Sequence, residues 1–212
     1  MPVERYEALI FDLDGTLWDA AAASSDGWNL GLAELGLAAR VTEDGVRSVC
    51  GHPFDRCIEI LLPELHPASE ALAEALDRAQ HTVVRGTGGV LYPGVAEGLP
   101  RLAESYRLFL VSNCPDWYLE EFFRSTGLGV HLRGHDCHGS SGLGKSEMLI
   151  RLRRRHGIGR AIYLGDTPGD QEAAETAGLD FGFAAYGFGV VDGADLSFSS
   201  FDQLVEHFLR QR

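Results

Sequence analysis

The sequence contains little positive charge, and almost none of it comes from lysine. Among 212 residues, 31 are acidic and 18 are lysine or arginine, which gives a formal net charge of −13. Lys145 is the single lysine, so arginine supplies all the other permanent positive charges. Proteins that bind nucleic acids or anionic membranes usually carry a basic surface, because both partners present negatively charged phosphates. The composition therefore argues against nucleic-acid and membrane partners.

Long apolar runs and closely spaced cysteine pairs are also absent. No stretch approaches the ~20 apolar residues of a membrane-spanning helix, and the first residues lack the basic and apolar layout of a secretory signal. The cysteines, at positions 50, 57, 114 and 137, include no Cys-x-x-Cys pair. We therefore expect a cytoplasmic protein whose cysteines are free thiols.

Short apolar runs predict the strands of a buried sheet. Ala8–Phe11, Leu108–Val111 and Ala161–Leu164 each stop at small or acidic residues, which is typical of strands buried on both faces. Residues 180–185 form a weaker fourth run, and residues 130–132 predict a short fifth strand. Amphipathic helical patterns occur at residues 94–105, 116–125, 146–156, 169–177 and 201–209. Strands that alternate with helices predict an α/β fold on a doubly wound parallel sheet.

Residues 18–87 do not follow this alternation. Their apolar positions have helical spacing throughout, and a glycine-rich stretch at residues 86–89 ends the segment. Glycine permits the backbone conformations that a hinge requires. We therefore predict two domains, a catalytic core of residues 1–17 and 88–212 and a helical insert of residues 18–87.

Polar side chains follow three of the predicted strands at the point where each strand ends. They are Asp12 and Asp14 after the first, Ser112 and Asn113 after the second, and Asp166 after the third, with Asp170 one helical turn later. Ligands of open parallel sheets bind outside the carboxyl ends of the strands, so these groups should lie together. Four carboxylates at one edge would repel one another unless a cation lay among them. Oxygen ligands on a rigid scaffold favour Mg²⁺.

These residues resemble the four motifs of the haloacid dehalogenase-like hydrolase superfamily. Asp12-Leu13-Asp14-Gly15-Thr16 resembles the first motif, Ser112 the second, Lys145 the third, and Gly165-Asp166-x-x-x-Asp170 the fourth. The motifs occur in the expected order over nearly the whole chain. Residues 18–87 resemble the small all-helical cap of the branch that contains phosphoglycolate phosphatase-type enzymes. The resemblance implies a Rossmann-like core that carries an inserted helical cap.

The resemblance also implies a role for each site residue. Asp12 would be the nucleophile that forms an aspartyl-phosphate, and Asp14 would protonate the leaving alcohol and then activate water. Asp12 and Asp166 would bind Mg²⁺ by their side chains, Asp14 by its backbone carbonyl, and Asp170 either directly or through water. Ser112 and Lys145 would hold the phosphoryl oxygens, together with backbone N–H groups near Leu13 to Gly15 and at Asn113. The expected reaction is the hydrolysis of a small phosphorylated metabolite.

Other activities are compatible with part of this pattern. A phosphomutase similar to the β-phosphoglucomutases would share the fold and the cap, but it returns the phosphate to a sugar. Phospho-acceptor receiver domains also cluster aspartates around one lysine, but they are shorter and lack the helical insert. The dehalogenases of the superfamily lack an acid at the position of Asp14, and its phosphonate-cleaving members need a cap lysine, which residues 18–87 do not contain. The sequence leaves the oligomeric state open.

The segment Gly51-His52-Pro53 resembles the cap loop that reaches into the substrate pocket. Arg47 and Arg56 flank this loop and could meet an anionic substrate tail. We expect His52 and Arg56 to influence substrate choice. The simpler alternative is a turn between two helices that is flanked by surface arginines.

Overall fold

The computed structural model describes residues 5–210 and contains a six-stranded parallel sheet. The strands are β1 (Ala8–Phe11), β2 (Trp18–Asp19), β3 (Val90–Leu91), β4 (Arg107–Ser112), β5 (Leu132–Cys137), β6 (Ala161–Gly165), β7 (Asp180–Ala184) and β8 (Leu196–Phe198). The parallel sheet has the order β5-β4-β1-β6-β7-β8, and β2 pairs with β3 in a separate antiparallel ribbon. The sheet confirms the α/β fold class that the sequence predicts.

Helices account for most of the remaining described residues. They are α1 (Ala21–Glu34), α2 (Glu43–Val49), α3 (Phe54–Leu61), α4 (Glu70–Thr87), α5 (Val95–Ala103), α6 (Asp116–Thr126), α7 (His138–Ser141), α8 (Lys145–His156), α9 (Pro168–Thr176) and α10 (Phe201–Arg210). Helices α5, α6, α8, α9 and α10 lie where the amphipathic patterns predict helices. Within residues 5–210, no helix combines the length and the apolar character needed to cross a membrane.

Strand β1 lies at the centre of the sheet and is buried on both faces. Phe11 is in register with Leu110 of β4 on one side and with Leu164 of β6 on the other. One face of the sheet packs against α5, α6 and α10, and the opposite face packs against α8 and α9. Burial on both faces explains why β1 is an uninterrupted apolar run.

The sequence-based prediction of a strand at residues 130–132 is wrong. Residues Leu128–His131 form a 3₁₀ helix, and strand β5 extends from Leu132 to Cys137. This strand lies at one edge of the sheet, where Arg133 and His135 are exposed. An edge strand with polar residues has no continuous apolar run, so the pattern that identifies central strands misses it. Strand β8, at the other edge, has only three residues and was not predicted.

Helices α1 to α4, which we call the helical segment (residues 21–87), share a hydrophobic core of their own. Trp28, Leu32, Ile58 and Leu76 are buried in this core. The short ribbon of β2 and β3 lies where the chain enters and leaves the helical segment. The expectation that residues 18–87 are entirely helical is therefore wrong at Trp18 and Asp19. The domain boundaries after residues 17 and 87 stay a prediction.

Helices α1 and α4 approach each other closely at Gly27. A Cβ atom at Gly27 would lie 2.4 Å from Cα of Gln80. This is a backbone atom, so it cannot move away as the end of a flexible side chain could. A Cβ atom at Gly86, on α4, would have no atom within 4 Å apart from its chain neighbours and the backbone of its own helix. We predict that Gly27→Ala lowers the free energy of unfolding by about 1–3 kcal/mol through overpacking. Gly86→Ala should leave it unchanged or raise it by up to about 1 kcal/mol.

Chemical denaturation of the two variants beside the parent protein measures both effects. Equal stabilities for Gly27→Ala and Gly86→Ala would contradict the close packing of α1 on α4.

Candidate active site

The ends of three adjacent strands and the starts of two helices converge at one edge of the sheet. Asp12 follows β1, Ser112 ends β4 and Asp166 follows β6, while Lys145 begins α8 and Asp170 lies in the first turn of α9. Because β1 lies between β4 and β6, the three strand ends are neighbours. All five side chains belong to buried residues. The topology thus brings together the polar groups that the sequence singles out.

The Lys145 ammonium joins two of the carboxylates. Its Nζ donates hydrogen bonds to Oδ1 of Asp12 at 2.9 Å and to Oδ1 of Asp170 at 2.5 Å. Burial alone would lower the pKa of Lys145, but the two carboxylates outweigh burial and raise this pKa above its usual value. Lys145 therefore remains charged within the buried cluster.

Tyr163, on strand β6, contacts the same two carboxylates as Lys145. Its hydroxyl donates a hydrogen bond to the backbone carbonyl of Val111 at 2.9 Å, and it lies 3.3 Å from Oδ1 of Asp12 and 3.4 Å from Oδ1 of Asp170. In the sequence, Tyr163 is recognisable only as a residue of an apolar strand. Its hydroxyl was the available signal, because a tyrosine in a strand buried on both faces needs a hydrogen-bond partner.

Asp170 is held in place by the N-terminus of its own helix. Its Oδ2 accepts hydrogen bonds from the Thr167 N–H at 3.0 Å, from the Thr167 hydroxyl at 2.7 Å and from the Asp166 N–H at 3.2 Å. Thr167 is the N-cap of α9 and forms a reciprocal capping box with Asp170. Both carboxylate oxygens of Asp170 are therefore occupied, so this side chain is rigid.

Asp166 differs from Asp170, because one of its oxygens has no partner. Its Oδ2 accepts a hydrogen bond from the Phe188 N–H at 2.7 Å, whereas its buried Oδ1 has no hydrogen-bond partner among residues 5–210. Gly15, with φ +78°, passes directly beside this carboxylate, and a Cβ there would lie 2.1 Å from Asp166 Oδ2. The first motif therefore needs glycine at position 15 to admit Asp166.

The cluster carries more negative than positive charge. Burial, with a further contribution from Asp170 and Asp12, raises the pKa of Asp166 to about 8. Burial also raises the pKa of Asp12 to about 7, although the Lys145 ammonium opposes this shift. Each of Asp12, Asp166 and Asp170 has a carboxylate oxygen within 4.8 Å of the other two. Together with the unpartnered Asp166 Oδ1, this all-oxygen set fits a hard divalent cation such as Mg²⁺.

Asp14 lies beside the cluster and points to a different neighbour. The Tyr118 hydroxyl donates a hydrogen bond to Asp14 Oδ1 at 2.6 Å. Burial raises the pKa of Asp14 to about 6, and the hydrogen bond from Tyr118 only partly offsets this rise. Sequence reasoning missed Tyr118, because no local pattern in residues 116–125 shows that its hydroxyl contacts a carboxylate.

Ser112 is the last residue of β4, and Asn113 begins the loop that follows it. The Ser112 hydroxyl accepts a hydrogen bond from the Cys114 N–H at 3.3 Å. Nδ2 of Asn113 donates a hydrogen bond to the backbone carbonyl of Gly51 at 2.7 Å. Gly51 belongs to the loop between α2 and α3, so the helical segment reaches the site at the position where the sequence predicts a cap loop.

A cavity opens between this loop and the strand ends. Asp14, Ser112 and Asn113 line it from the sheet side, and Gly51 and His52 line it from the helical segment. We call this space the inner cavity. A group bound to the carboxylate cluster would extend into the inner cavity, because Asp14 borders both regions.

The structure does not bring Arg47 or Arg56 to the inner cavity. The Arg56 guanidinium is exposed and pairs with Glu59 of the same helix. The Arg47 guanidinium pairs with Asp19 at 2.8 Å and also with Glu43 and Asp44. Neither arginine lines the inner cavity, and their contact with an anionic substrate tail stays a prediction. An influence of Arg56 on substrate choice stays a prediction.

Known proteins share this sequence pattern and fold. The family model described as "Haloacid dehalogenase-like hydrolase" matches residues 9–184. A phosphoglycolate phosphatase from Rhodobacter capsulatus is 33% identical over 190 residues, which cover 82% of each chain. A phosphoglycolate phosphatase from Colwellia psychrerythraea is 26% identical and aligns over 97% of this chain and 98% of its own.

Solved structures show the same architecture. A predicted phosphoglycolate phosphatase from Haemophilus somnus has a TM-score of 0.83 at 21% identity, covering 97% of this chain and 99% of its own. A predicted phosphatase from Clostridium acetobutylicum has a TM-score of 0.81 at 20% identity, covering 98% and 100%. At these identities the structures establish only the fold, whereas the family model spans most of the chain. The chain therefore belongs to the haloacid dehalogenase-like hydrolase family.

Proposed function

We propose that this chain is a Mg²⁺-dependent phosphatase that hydrolyses a small phosphorylated metabolite through an aspartyl-phosphate on Asp12. The observation that carries the proposal is the buried cluster in which Lys145 bridges Asp12 and Asp170 beside the unpartnered oxygen of Asp166. The phosphatase names of the relatives support hydrolysis of phosphoric monoesters. The proposal includes the two-domain division, with residues 18–87 as the cap, and a cytoplasmic location.

Asp12 is the nucleophile in the proposed reaction. Its Oδ1 is held by Lys145, which leaves Oδ2 to attack phosphorus while the bond from phosphorus to the leaving oxygen breaks. The Lys145 ammonium and the Ser112 hydroxyl hold the phosphoryl oxygens, aided by backbone N–H groups near Asn113. These donors stabilise the charge that spreads over the phosphoryl oxygens in the transition state.

Asp14 transfers the protons. Its pKa of about 6 allows both protonation states near neutral pH, as required of a group that serves first as an acid and then as a base. It gives its proton to the leaving alcohol and then accepts one from the water that hydrolyses the aspartyl-phosphate. The hydrogen bond from Tyr118 positions the carboxyl group for both steps.

Asp12, Asp166 and the backbone carbonyl of Asp14 would hold Mg²⁺, with Asp170 next to them. When bound, Mg²⁺ neutralises part of the negative charge, so that an anionic phosphate can approach an anionic nucleophile. Asp170 and Lys145 keep Asp12 in a fixed orientation at this position.

The phosphomutase alternative predicts a different product. A mutase returns the phosphoryl group to a sugar, whereas a phosphatase releases inorganic phosphate. Incubation with sugar phosphates and with small phosphate esters, followed by assays for phosphate and for isomeric sugar phosphate, separates the two activities. Isomer formation without phosphate release would overturn the phosphatase proposal.

Asp12→Asn should remove the nucleophile, and Asp14→Asn should remove the proton donor. We expect kcat/KM to fall by at least about 10³-fold for Asp12→Asn and by about 10²–10⁴-fold for Asp14→Asn. Acetyl phosphate needs no protonation of its leaving group, so it should phosphorylate Asp14→Asn but not Asp12→Asn. Intact-protein mass spectrometry detects the added phosphoryl group. Its appearance on Asp12→Asn would refute the assignment of the nucleophile.

Asp166→Asn should weaken cation binding without unfolding the protein. At neutral pH we expect Mg²⁺ to raise the Tm of the parent protein, because the cation offsets repulsion among Asp12, Asp166 and Asp170. When a chelator removes divalent cations, the Tm of Asp166→Asn should equal or exceed that of the parent. Added Mg²⁺ should change the Tm of Asp166→Asn little. Glu175→Gln removes an exposed charge from α9 and should keep the full Mg²⁺ shift. If Mg²⁺ raised the Tm of the parent, Asp166→Asn and Glu175→Gln proteins equally, Asp166 would not be a ligand of the cation.

Lys145→Arg should reduce activity although it conserves charge. The ammonium contacts two carboxylates within a buried space, and a wider planar guanidinium does not fit the same geometry. We expect kcat/KM to fall more than about tenfold, which corresponds to about 1.4 kcal/mol of transition-state stabilisation. Arg151→Lys, at the pair with Asp136, serves as the control and should stay near the parent value. A Lys145→Arg value within about twofold of the parent would show that charge alone suffices.

A further inference from the structure

The inner cavity has a predominantly apolar lining. Its walls include Trp28, Val46, Val49 and Phe54 from the helical segment and Pro115 from the loop after β4. Asp14, the proposed donor of a proton to the leaving oxygen, lies in the same wall. The leaving group of a bound phosphate ester would therefore occupy this space, and the lining selects among leaving groups.

The inner cavity lacks a permanent cation. Among its described lining residues none is lysine or arginine, and His52, an exposed residue of the loop between α2 and α3, is the only side chain there able to become cationic. The nearby arginines are engaged elsewhere, Arg47 with Asp19 and Arg56 with Glu59. A carboxylate on the leaving group would therefore be buried near Asp14 without a counter-charge, which is strongly unfavourable.

One polar side chain of the inner cavity has a free hydrogen-bond acceptor. Gln80 is already engaged, because its Oε1 accepts from Trp28 Nε1 at 2.8 Å and its Nε2 donates to the Ser24 hydroxyl at 2.9 Å. Asn113 is different, since its buried Oδ1 has no partner in residues 5–210.

The orientation of the Asn113 amide follows from its neighbour. Gly51 offers a carbonyl oxygen, so the atom of Asn113 facing it must be the Nδ2 donor. Oδ1 is therefore the free atom, and it needs a ligand that donates a hydrogen bond. A hydroxyl or amide N–H meets this need, whereas a carboxylate repels the same oxygen.

The inner cavity is also small. Its volume is about 70 Å³, and on this measure one water molecule needs about 10–15 Å³. This volume is about half of the ~150 Å³ of an apolar cavity that holds one benzene molecule, so the space admits a leaving group of only a few non-hydrogen atoms. A polyhydroxylated sugar would exceed it and would find few polar partners there.

We propose that the leaving group of the natural substrate is a small, neutral alcohol with a hydrogen-bond donor of its own, and that carboxylate-bearing esters such as 2-phosphoglycolate are poor substrates. The proposal rests on the phosphatase function proposed above. It sets this chain apart from the activity named for its relatives. The charge, the free acceptor and the size of the inner cavity each support it.

The test compares esters of similar size with Mg²⁺ present. We expect kcat/KM for 2-hydroxyethyl phosphate to exceed that for 2-phosphoglycolate by at least about tenfold. It should also exceed the value for n-propyl phosphate, in which a methyl group replaces the hydroxyl. A 2-phosphoglycolate value equal to or above that of 2-hydroxyethyl phosphate overturns the substrate proposal, but it leaves the phosphatase function intact.

Acetyl phosphate separates the two kinds of failure. Its leaving group is activated, so its hydrolysis depends on Asp12 but little on contacts with the inner cavity. If neither acetyl phosphate nor any ester releases phosphate, the proposed function itself fails, and the substrate proposal fails with it.

A cation introduced at the inner cavity tests whether the lack of positive charge there is what excludes carboxylates. His52→Arg adds a guanidinium to the exposed loop at this position and should raise kcat/KM for 2-phosphoglycolate relative to 2-hydroxyethyl phosphate by at least about fivefold. His66→Arg makes the same substitution at an exposed position of the helical segment that does not line the inner cavity, and it should leave this ratio unchanged. An unchanged ratio in His52→Arg would overturn the proposal that a missing cation excludes carboxylates.

Discussion

The buried contact between the Lys145 ammonium and the carboxylates of Asp12 and Asp170 is the interaction on which the site depends. Each of these side chains is almost fully excluded from solvent, so none of them would be stable in its charged form alone. The contact also joins the end of β1 to the first turns of α8 and α9. Removal of Lys145 would leave two buried carboxylates without a counter-charge at the edge of the sheet.

This contact does not balance all of the charge. Asp166 adds a third carboxylate, and one of its oxygens has no partner within the described residues. The raised pKa values of Asp12 and Asp166 have burial as their main cause. A bound cation would relieve this imbalance, and buried groups with pKa values shifted in this way are typical of functional sites. The inner cavity has the opposite character, because it is largely apolar and has no permanent cation in its described lining. The two regions meet at Asp14.

Central and edge elements of the fold differ in how well the sequence predicts them. Strands β1, β4 and β6 are buried on both faces and appear as apolar runs. Edge strands β5 and β8 have exposed residues that interrupt such runs. Among the site residues, the acids stand out because they directly follow apolar strands. Tyr163 and Tyr118 do not, because a tyrosine in an apolar pattern has the same local signature whether or not its hydroxyl contacts a carboxylate.

The sequence by itself determined the fold class and the set of acids at one edge of the sheet, since these follow from local pattern and from the rule that parallel strands end at one edge. The place of Lys145 among these acids was implied by the family resemblance. Only the tertiary structure decided which groups touch. It paired Lys145 with Asp12 and Asp170, turned Arg47 and Arg56 into ion pairs away from the inner cavity, and left Asn113 Oδ1 free. These outcomes depend on distances between residues far apart in the chain, and no local pattern encodes such distances.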